Sequence, residues 1–455
     1  MTDVVIVGGG IAGLAAAWEL SRSGTSFVVL ERATRAGGVI YSEEIEGFTI
    51  DGGPDALLIQ KPDGIALCQE IGLGDRLVPT KPPRLAYIQR GGRLHALPAA
   101  SVLGIPTRVG PFLRTPLFSW TGKIRMGAEV FVPVRRDDSD ESIGAFMTRR
   151  FGLEASTYLA EPLLAGIHAG DVDRLSIQAL FPRFVAAERK YGSLLRAFQR
   201  RQPGAVSGDG AFKSLPGGLS EMVRALVRAL GEPQVRTAVT VTAITGRGPY
   251  QVRTSDGEVI DARAVVLATP AYITSALTRD RDEELARLSG EIVYASAATV
   301  SLAFRRDAVA HPLNGSGFVV PRVEHTGILA ASWLSSKWPH RAPADHVLLR
   351  TFIGGARDPN ALDRSDAELV ALSLEAISGL LGLRGEPLFS RIYRWERANA
   401  QHEVGHLVRI AAIDRALARH PGLFVTGSGF RGVGIPDCVA DGRATARQVT
   451  TWLNA

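Results

Sequence analysis

Residues 2–13 read Thr2-Asp3-Val4-Val5-Ile6-Val7-Gly8-Gly9-Gly10-Ile11-Ala12-Gly13. A β-branched run enters a glycine turn and continues into 14–21, rich in helix formers, so the stretch reads as strand, turn and helix. Gly8, Gly10 and Gly13 satisfy the spacing GxGxxG. The first glycine makes the turn, the second lets a pyrophosphate approach the backbone, and the third lets the helix pack on the strand. The helix start then offers free N–H groups and a positive dipole end to the phosphates.

The flanking residues strengthen this reading. A second strand, 26–30, ends at Glu31, about 20 residues beyond the glycines, where a carboxylate can accept both hydroxyls of an adenosine ribose. A carboxylate there disfavours a 2′-phosphate, which leaves FAD or NAD. Arg32 and Arg35 precede a second glycine turn, Gly37-Gly38, near the same phosphates. Phe48-Thr49-Ile50 then leads into Asp51-Gly52-Gly53-Pro54, where side chains are too small to obstruct a flat ring. Two glycine loops after the first βαβ unit point to an extended FAD whose isoalloxazine is received by the second half of the chain.

Composition sets the frame. A chain of 455 residues calls for two or three domains, and 45% apolar with 22% charged residues is a globular balance. The 49 glycines lack a collagen period and mark tight loops. The net charge of +6 is too small to indicate a nucleic-acid partner. Residues 104–206 hold 15 Lys or Arg against 10 Asp or Glu, so most of the surplus sits there. That segment reads as a helical subdomain whose basic face meets solvent, an acidic ligand or an anionic membrane surface. As a set, Arg108, Arg114, Arg135, Arg136, Arg149 and Arg150 read as solvated, with membrane docking as the sharper alternative. Cys68 and Cys438 show no disulfide or metal-ligand spacing. The apolar run at Val4 is the first strand of the motif rather than a signal peptide, and no uncharged stretch reaches spanning length. A cytoplasmic site with peripheral membrane contact allowed is the expectation.

Further along, helical spacing is expected over 122–147 and 153–161, and a glycine-rich exit loop at 207–212. Helix 220–230 follows, then strands at 239–244 and 250–254, a hairpin at Asp256-Gly257 and a buried strand at 262–269. Strand candidates at 292–304, 317–321, 328–332 and 347–352 with helix 366–381 form a mostly antiparallel second sheet. The block 423–437 reads as strand, glycine loop and helix start, and a helix over 437–452 would aim its N-terminus at an anion or a flavin carbonyl. The fold class is therefore α/β. A discontinuous Rossmann-type FAD-binding domain is expected at 1–80 with 207–285 and 385–455. A substrate-binding sheet domain takes 81–103 with 286–384, and the helical subdomain 104–206.

With these residues assembled, the chain resembles the FAD-dependent protoporphyrinogen/coproporphyrinogen oxidases of the amine-oxidase-like flavoprotein superfamily. The resemblance rests on VVIVGGGIAGL (4–14), ERATRAGG (31–38), IDGGPDALL (50–58) with the following KP, RGGRLHALP (90–98), AGIHAGDVDRLSIQALFP (165–182), LPGGL (215–219), GFVVP (317–321) and GVGIPDCVADG (432–442). The glycine motifs define only the superfamily; RGGRLHALP and AGDVDRLSIQALFP mark the porphyrinogen branch. The resemblance implies that Gly8, Gly10 and Gly13 hold the pyrophosphate and Glu31 the ribose, with Arg32 nearby. It puts Gly38 and Gly53 along a non-covalent FAD, gives the adenine the backbone of Val241, and sets Trp395, Val433, Gly434 and Ile435 beside the flavin ring. Arg84 matches an arginine that pairs with a substrate propionate, and Gly170 a residue at the tetrapyrrole edge. The implied partners are a porphyrinogen and oxygen, with room for a homodimer and for hand-over of product to a ferrochelatase. The chain departs from the family at 397–402, which reads RANAQH where Met-Pro-Gln-Tyr is usual, and at Ala56 and Leu57.

The implied reaction removes six electrons from a porphyrinogen in haem synthesis, with hydride transfer to the flavin and peroxide as by-product. The protein then needs a dry slot and an acceptor for propionates, so no residue is assigned as catalytic, and an arginine fork suits a carboxylate. The substrate carries either four propionates, or two with two vinyls. His168 reads as a packed or solvated histidine ahead of a proton carrier; His95, His402 and His406 receive no role, and Trp333 and Trp338 read as core or rim aromatics. An amine or polyamine oxidase would instead want an aromatic cage and acidic residues. A non-catalytic FAD-stabilised tetrapyrrole-binding module is the alternative from another class.

Overall fold

Strand Thr2–Val7 lies inside a sheet, parallel to Phe27–Leu30 on one side and to Val259–Leu267 on the other. The order runs Val235–Arg236, Phe27–Leu30, Thr2–Val7, Val259–Leu267, Tyr250–Thr254, Val241–Thr245, with Leu423–Val425 also parallel to Val259–Leu267. A central strand has no solvent face, which is why it reads as a continuous apolar run. Its two faces feed separate cores. Val4 and Ile6 pack with helices Ile11–Arg22, Ser220–Leu230 and Ile435–Leu453, while Val5 and Val7 pack with Glu283–Gly290 and His406–Leu417. The structure is a computed structural model and describes residues 2–98, 101–102, 105–106, 108–200 and 210–455.

A second sheet is ordered Phe389–Ala400, Tyr294–Arg305, His346–Gly354, Ile328–Trp333, Gly317–Val319, Tyr87–Arg90, Arg93–Ala96. It is antiparallel except where Gly317–Val319 meets Tyr87–Arg90. Helix Asp366–Leu381 covers it, opened by a capping box between Ser365 and Glu368 and ended by Gly382 in the left-handed region. Phe389–Ala400 pairs along most of its length with Tyr294–Arg305. The boundary expected at 385 is therefore corrected: this strand belongs to the antiparallel sheet, because its hydrogen-bond partners lie there.

The helical segment packs Phe146, Phe151, Leu159, Phe184 and Phe198 into a core of its own. The helical run expected over 122–147 is broken. Trp120–Gly127 passes through a 3-10 turn, Ala128–Phe131, into an irregular stretch containing Pro133, and Ile143–Phe151 restarts behind the Ser142 cap. Ser156–Ala165 is wound as a π-helix around Pro162. The basic set also differs from expectation. Arg150 is fully buried against Glu129, and Arg149 is bonded to Glu141 and Glu188. Arg135 pairs with Asp137 and Glu141, leaving Arg108, Arg114 and Arg136 exposed. Of the exit loop expected at 207–212, residues 207–209 lie outside the described residues and Phe212–Ser214 is a strand.

A backbone cradle and a side-chain clamp

At the end of Thr2–Val7 the chain turns at Gly8 with φ 108°, a left-handed conformation that a side chain resists. A Cβ here would also sit 2.6 Å from the Ala268 carbonyl oxygen, and one on Gly13 would run into the Gly8 carbonyl. Gly10 caps helix Ile11–Arg22 from extended backbone, with no side-chain cap and open space where its Cβ would stand. Uncapped N–H groups facing open space suit a pyrophosphate, so these residues fit a dinucleotide.

Glu31 is fixed at the adjoining strand end. Its Oε2 accepts from the Gly9 N–H at 2.7 Å and its Oε1 from the Ala33 N–H at 2.8 Å. The Val239 N–H donates to the Glu31 carbonyl at 2.9 Å, which brings the start of Val241–Thr245 beside it. Arg32 is exposed; Arg35 instead shapes the second glycine turn, donating to the carbonyls of Ala36, Gly38 and Ile40 with its guanidinium over Tyr41. Gly37 donates to the Gly9 carbonyl at 2.8 Å, and a Cβ on Gly38 would stand 3.5 Å from the Gly10 Cα.

The Gly52–Gly53 turn is held from outside by the second sheet. Thr299 Oγ1 and Trp395 Nε1 both donate to the Gly52 carbonyl at 2.8 Å. Arg350 donates to the carbonyls of Asp51 at 2.7 Å and Gly53 at 2.9 Å, and to Asp55 at 2.8 Å. Lys337 and Trp338 Nε1 complete the shell of Asp55, each at 2.7 Å. Burial alone would raise the Asp55 pKa, but Lys337 and Arg350 outweigh it and hold this carboxyl well below the usual range. Asp51 shifts the other way, since burial exceeds the pull of Arg341 and Ser42. A Cβ on Gly53 would collide with the Val39 carbonyl. Arg350 and Arg341, which brace this turn, are site residues that sequence reasoning missed; the available signal for Arg350 was an arginine amid the apolar residues of strand His346–Gly354.

The carboxy-terminal loop is clamped as well. Asp441 accepts from Thr426 and from the Gly427 N–H, and Gly434 opens helix Ile435–Leu453 without a side-chain cap. Val433 and Gly434 are accessible and Ile435 is buried, so this helix start can face a flavin ring. Lys61 bonds Asp437 at 2.7 Å beside it. His402 and His406, given no role from sequence, stack at 3.8 Å with 11° between their planes. Their Nε2 atoms lie 2.9 Å from the Ser428 carbonyl and 2.8 Å from the Phe430 carbonyl. A carbonyl only accepts, so Nε2 carries the proton in both rings. Burial keeps both neutral, with His406 down at about 3 and His402 lowered; His168 falls to about 4 through burial and the nearby His402 and Lys61.

On the substrate side, Gly170 is buried where a Cβ would strike Leu175 and lie 2.6 Å from Gln401 Oε1. Gln401 also donates to the His168 carbonyl at 3.0 Å, so Gly170, His168, Gln401 and His402 come together. Arg84 is exposed, braced by Thr80 at 3.0 Å and lying against Gly210. Trp333 and Trp338 are core residues.

Residues 11–450 match the family described as flavin containing amine oxidoreductase. The chain is 34% identical over 466 aligned residues to a coproporphyrinogen III oxidase of Bacillus subtilis, covering 99% of this chain and 98% of that one. It is 33% identical to the protein of the same name from Staphylococcus aureus, with 99% of both chains covered. A solved structure from Exiguobacterium sp. 255-15, described as a protoporphyrinogen oxidase, superposes with a TM-score of 0.89 at 32% identity over 100% of this chain and 99% of that one. Cyclohexylamine oxidase from Brevibacterium oxydans, at 16% identity and a TM-score of 0.73, covers 100% of both chains and shares the fold alone.

Proposed function

The chain belongs to the porphyrinogen-oxidase branch of the flavin-containing amine oxidoreductases, and on that premise we propose that it oxidises coproporphyrinogen III to the porphyrin in haem synthesis. The observation that carries the reading is a glycine turn, Gly52–Gly53, fixed from outside by side chains of the second sheet and free of bulk that would obstruct a flat ring. Thr299, Arg350 and Trp395 are committed to the carbonyls of that turn, and the full-length relatives bear this substrate's name. FAD, when bound, supplies the hydride acceptor for a saturated meso carbon, and oxygen takes the electrons on as peroxide.

The remaining work falls to the chain. Gly8, Gly10 and Gly13 receive the pyrophosphate, Glu31 the ribose, Gly38 the adjoining backbone and Val241 the adenine. Arg32, being exposed, gives way to Arg35 in shaping the second turn. Gly53, Trp395, Val433, Gly434 and Ile435 border a ring held without a covalent bond. Arg84 presents a planar fork to a propionate, and Gly170 leaves room at the tetrapyrrole edge. His168 stays uncharged at neutral pH, so it adds no cation to the slot.

The test is porphyrin fluorescence appearing with peroxide when reduced substrate meets the yellow protein in air. Faster turnover of coproporphyrinogen III than of protoporphyrinogen IX is expected; no turnover of either, with flavin retained, defeats the reading.

A second element concerns the membrane. No helix among the described residues is long and apolar enough to cross one. Helices Val109–Arg114 and Trp120–Gly127 nevertheless expose Val109, Leu113, Trp120 (67%) and Ile124 (71%) beside exposed Arg108 and Arg114. Trp120 and Ile124 are four apart and share a helix face. Peripheral docking on an anionic bilayer is the function that suits this face. Co-sedimentation with phosphatidylglycerol vesicles, lost in Trp120→Glu/Ile124→Glu, tests it.

A further inference from the structure

Segment 397–402, where the sequence leaves its family's pattern, contains an irregularity in the second sheet. Trp395 pairs with Ala297 and Asn399 with Ala295, so residues 396–398 stand opposite Ser296 alone. Within this bulge Arg397 has φ 43°, uncommon for a residue with a side chain, and its N–H donates to Ser296 Oγ at 2.9 Å. Bulges of this kind redirect a side chain out of strand alternation.

The redirected side chain ends on an aromatic shelf. The Arg397 guanidinium carbon stands 3.8 Å from the Tyr272 ring centroid. Tyr272 meets Tyr294 edge to face at 5.2 Å, and Tyr294 Oη accepts from the Ala271 N–H at 2.9 Å. Tyr294 Oη also fills the position that a Cβ on Gly429 would take, so the shelf abuts the carboxy-terminal loop. Two residues earlier, Trp395 is bonded to the Gly52 turn. Arg397 is exposed, and among the described residues no carboxylate or carbonyl receives its guanidinium. A guanidinium stacked on a ring, with its fork open, is a receptor for a planar anion.

We propose that Arg397, braced on Tyr272, binds a carboxylate of the porphyrinogen at a position where the two-carboxylate substrate carries a vinyl group, and thereby favours the four-carboxylate substrate over the two-carboxylate one. The inference rests on the porphyrinogen reading above and adds to it a specificity residue. Holoprotein carrying Arg397→Gln or Arg397→Lys is compared with the parent by KM and kcat on both porphyrinogens, by equilibrium binding of coproporphyrin III, and by FAD content and FAD affinity.

Arg397→Gln is expected to raise KM and Kd for the four-carboxylate ligands about tenfold, equivalent to ~1.4 kcal/mol, with kcat changed by less than about twofold. KM for the two-carboxylate porphyrinogen and FAD affinity stay near the parent values. Arg397→Lys recovers part of the loss, and Tyr272→Ala reproduces it more weakly. Unchanged KM and Kd overturn the proposal. So does weakened FAD binding with unaltered porphyrin binding, which assigns the guanidinium to the cofactor's phosphates. If the yellow parent binds no porphyrin at all, the porphyrinogen reading fails first and Arg397's role goes with it.

Discussion

The two ends of the cofactor site are built differently. The amino-terminal cradle is made of backbone, from residues 8–38, together with one carboxylate held by its own strand end. The opposite end, where the proposed function puts the ring, is made of side chains that arrive from Thr299, Lys337, Trp338, Arg350, Trp395, His402 and His406 to grip two glycine loops. A backbone site is broken by adding atoms. A side-chain clamp is broken by removing them.

The largest effect is expected in the cradle. Gly13→Val pushes the helix off the Gly8 carbonyl and should lower FAD affinity by more than about a thousandfold, ~4 kcal/mol, giving colourless protein that does not reconstitute in a flavin titration. Retained yellow colour would show that the helix can shift without losing the phosphate site.

Next comes the clamp. Arg350→Met leaves buried Asp55 with only Lys337 as counter-charge and orphans the carbonyls of Asp51 and Gly53. Because breaking one side of a buried pair strands the other charge, the loss should be about 3 kcal/mol in denaturant unfolding. His406→Phe keeps the ring but removes the donor to Phe430, with an expected cost of about 1–2 kcal/mol and faster FAD dissociation in stopped-flow.

The smallest effect is a pH dependence. His168, His402 and His406 have depressed pKa values in the folded protein, so the unfolded chain binds more protons wherever the pH lies between the folded values and 6.5. The stability they confer is full above 6.5 and is lost as pH falls toward about 4 for His168 and about 3 for His406. Unfolding midpoints recorded from pH 7.5 to pH 4 should decline through that window, and His168→Gln should flatten the upper part of the decline. A flat profile in the parent would place these rings in contact with solvent.

The same division explains what could be read from the sequence. Gly8, Gly10, Gly13 and Glu31 are legible because a turn, a helix start and a strand end are local events fixed by neighbouring residues. Helix Asp366–Leu381 announces itself by Ser365 and Glu368 for the same reason. Arg350 could not be matched with Asp55, 295 residues away, because pairing at that distance depends on how two sheets face each other. The bound at 385 differs from the pairing of Phe389–Ala400 because adjacency in sequence to the last nucleotide-binding segment says nothing of hydrogen-bond partners. Arg150 looks like any surface arginine until Glu129 is found beneath it.

One seam joins the helical layer to the carboxy-terminal loop. The Ser176 N–H donates to the His402 carbonyl and the Val404 N–H to the Arg174 carbonyl, each at 2.9 Å, so 174–176 and 402–404 are stitched together like a miniature ribbon. The imidazole of that same His402 grips Ser428. A force applied to the helical layer thus has a direct route through His402 to the carboxy-terminal loop, and traction at the outer surface becomes a tug on that loop.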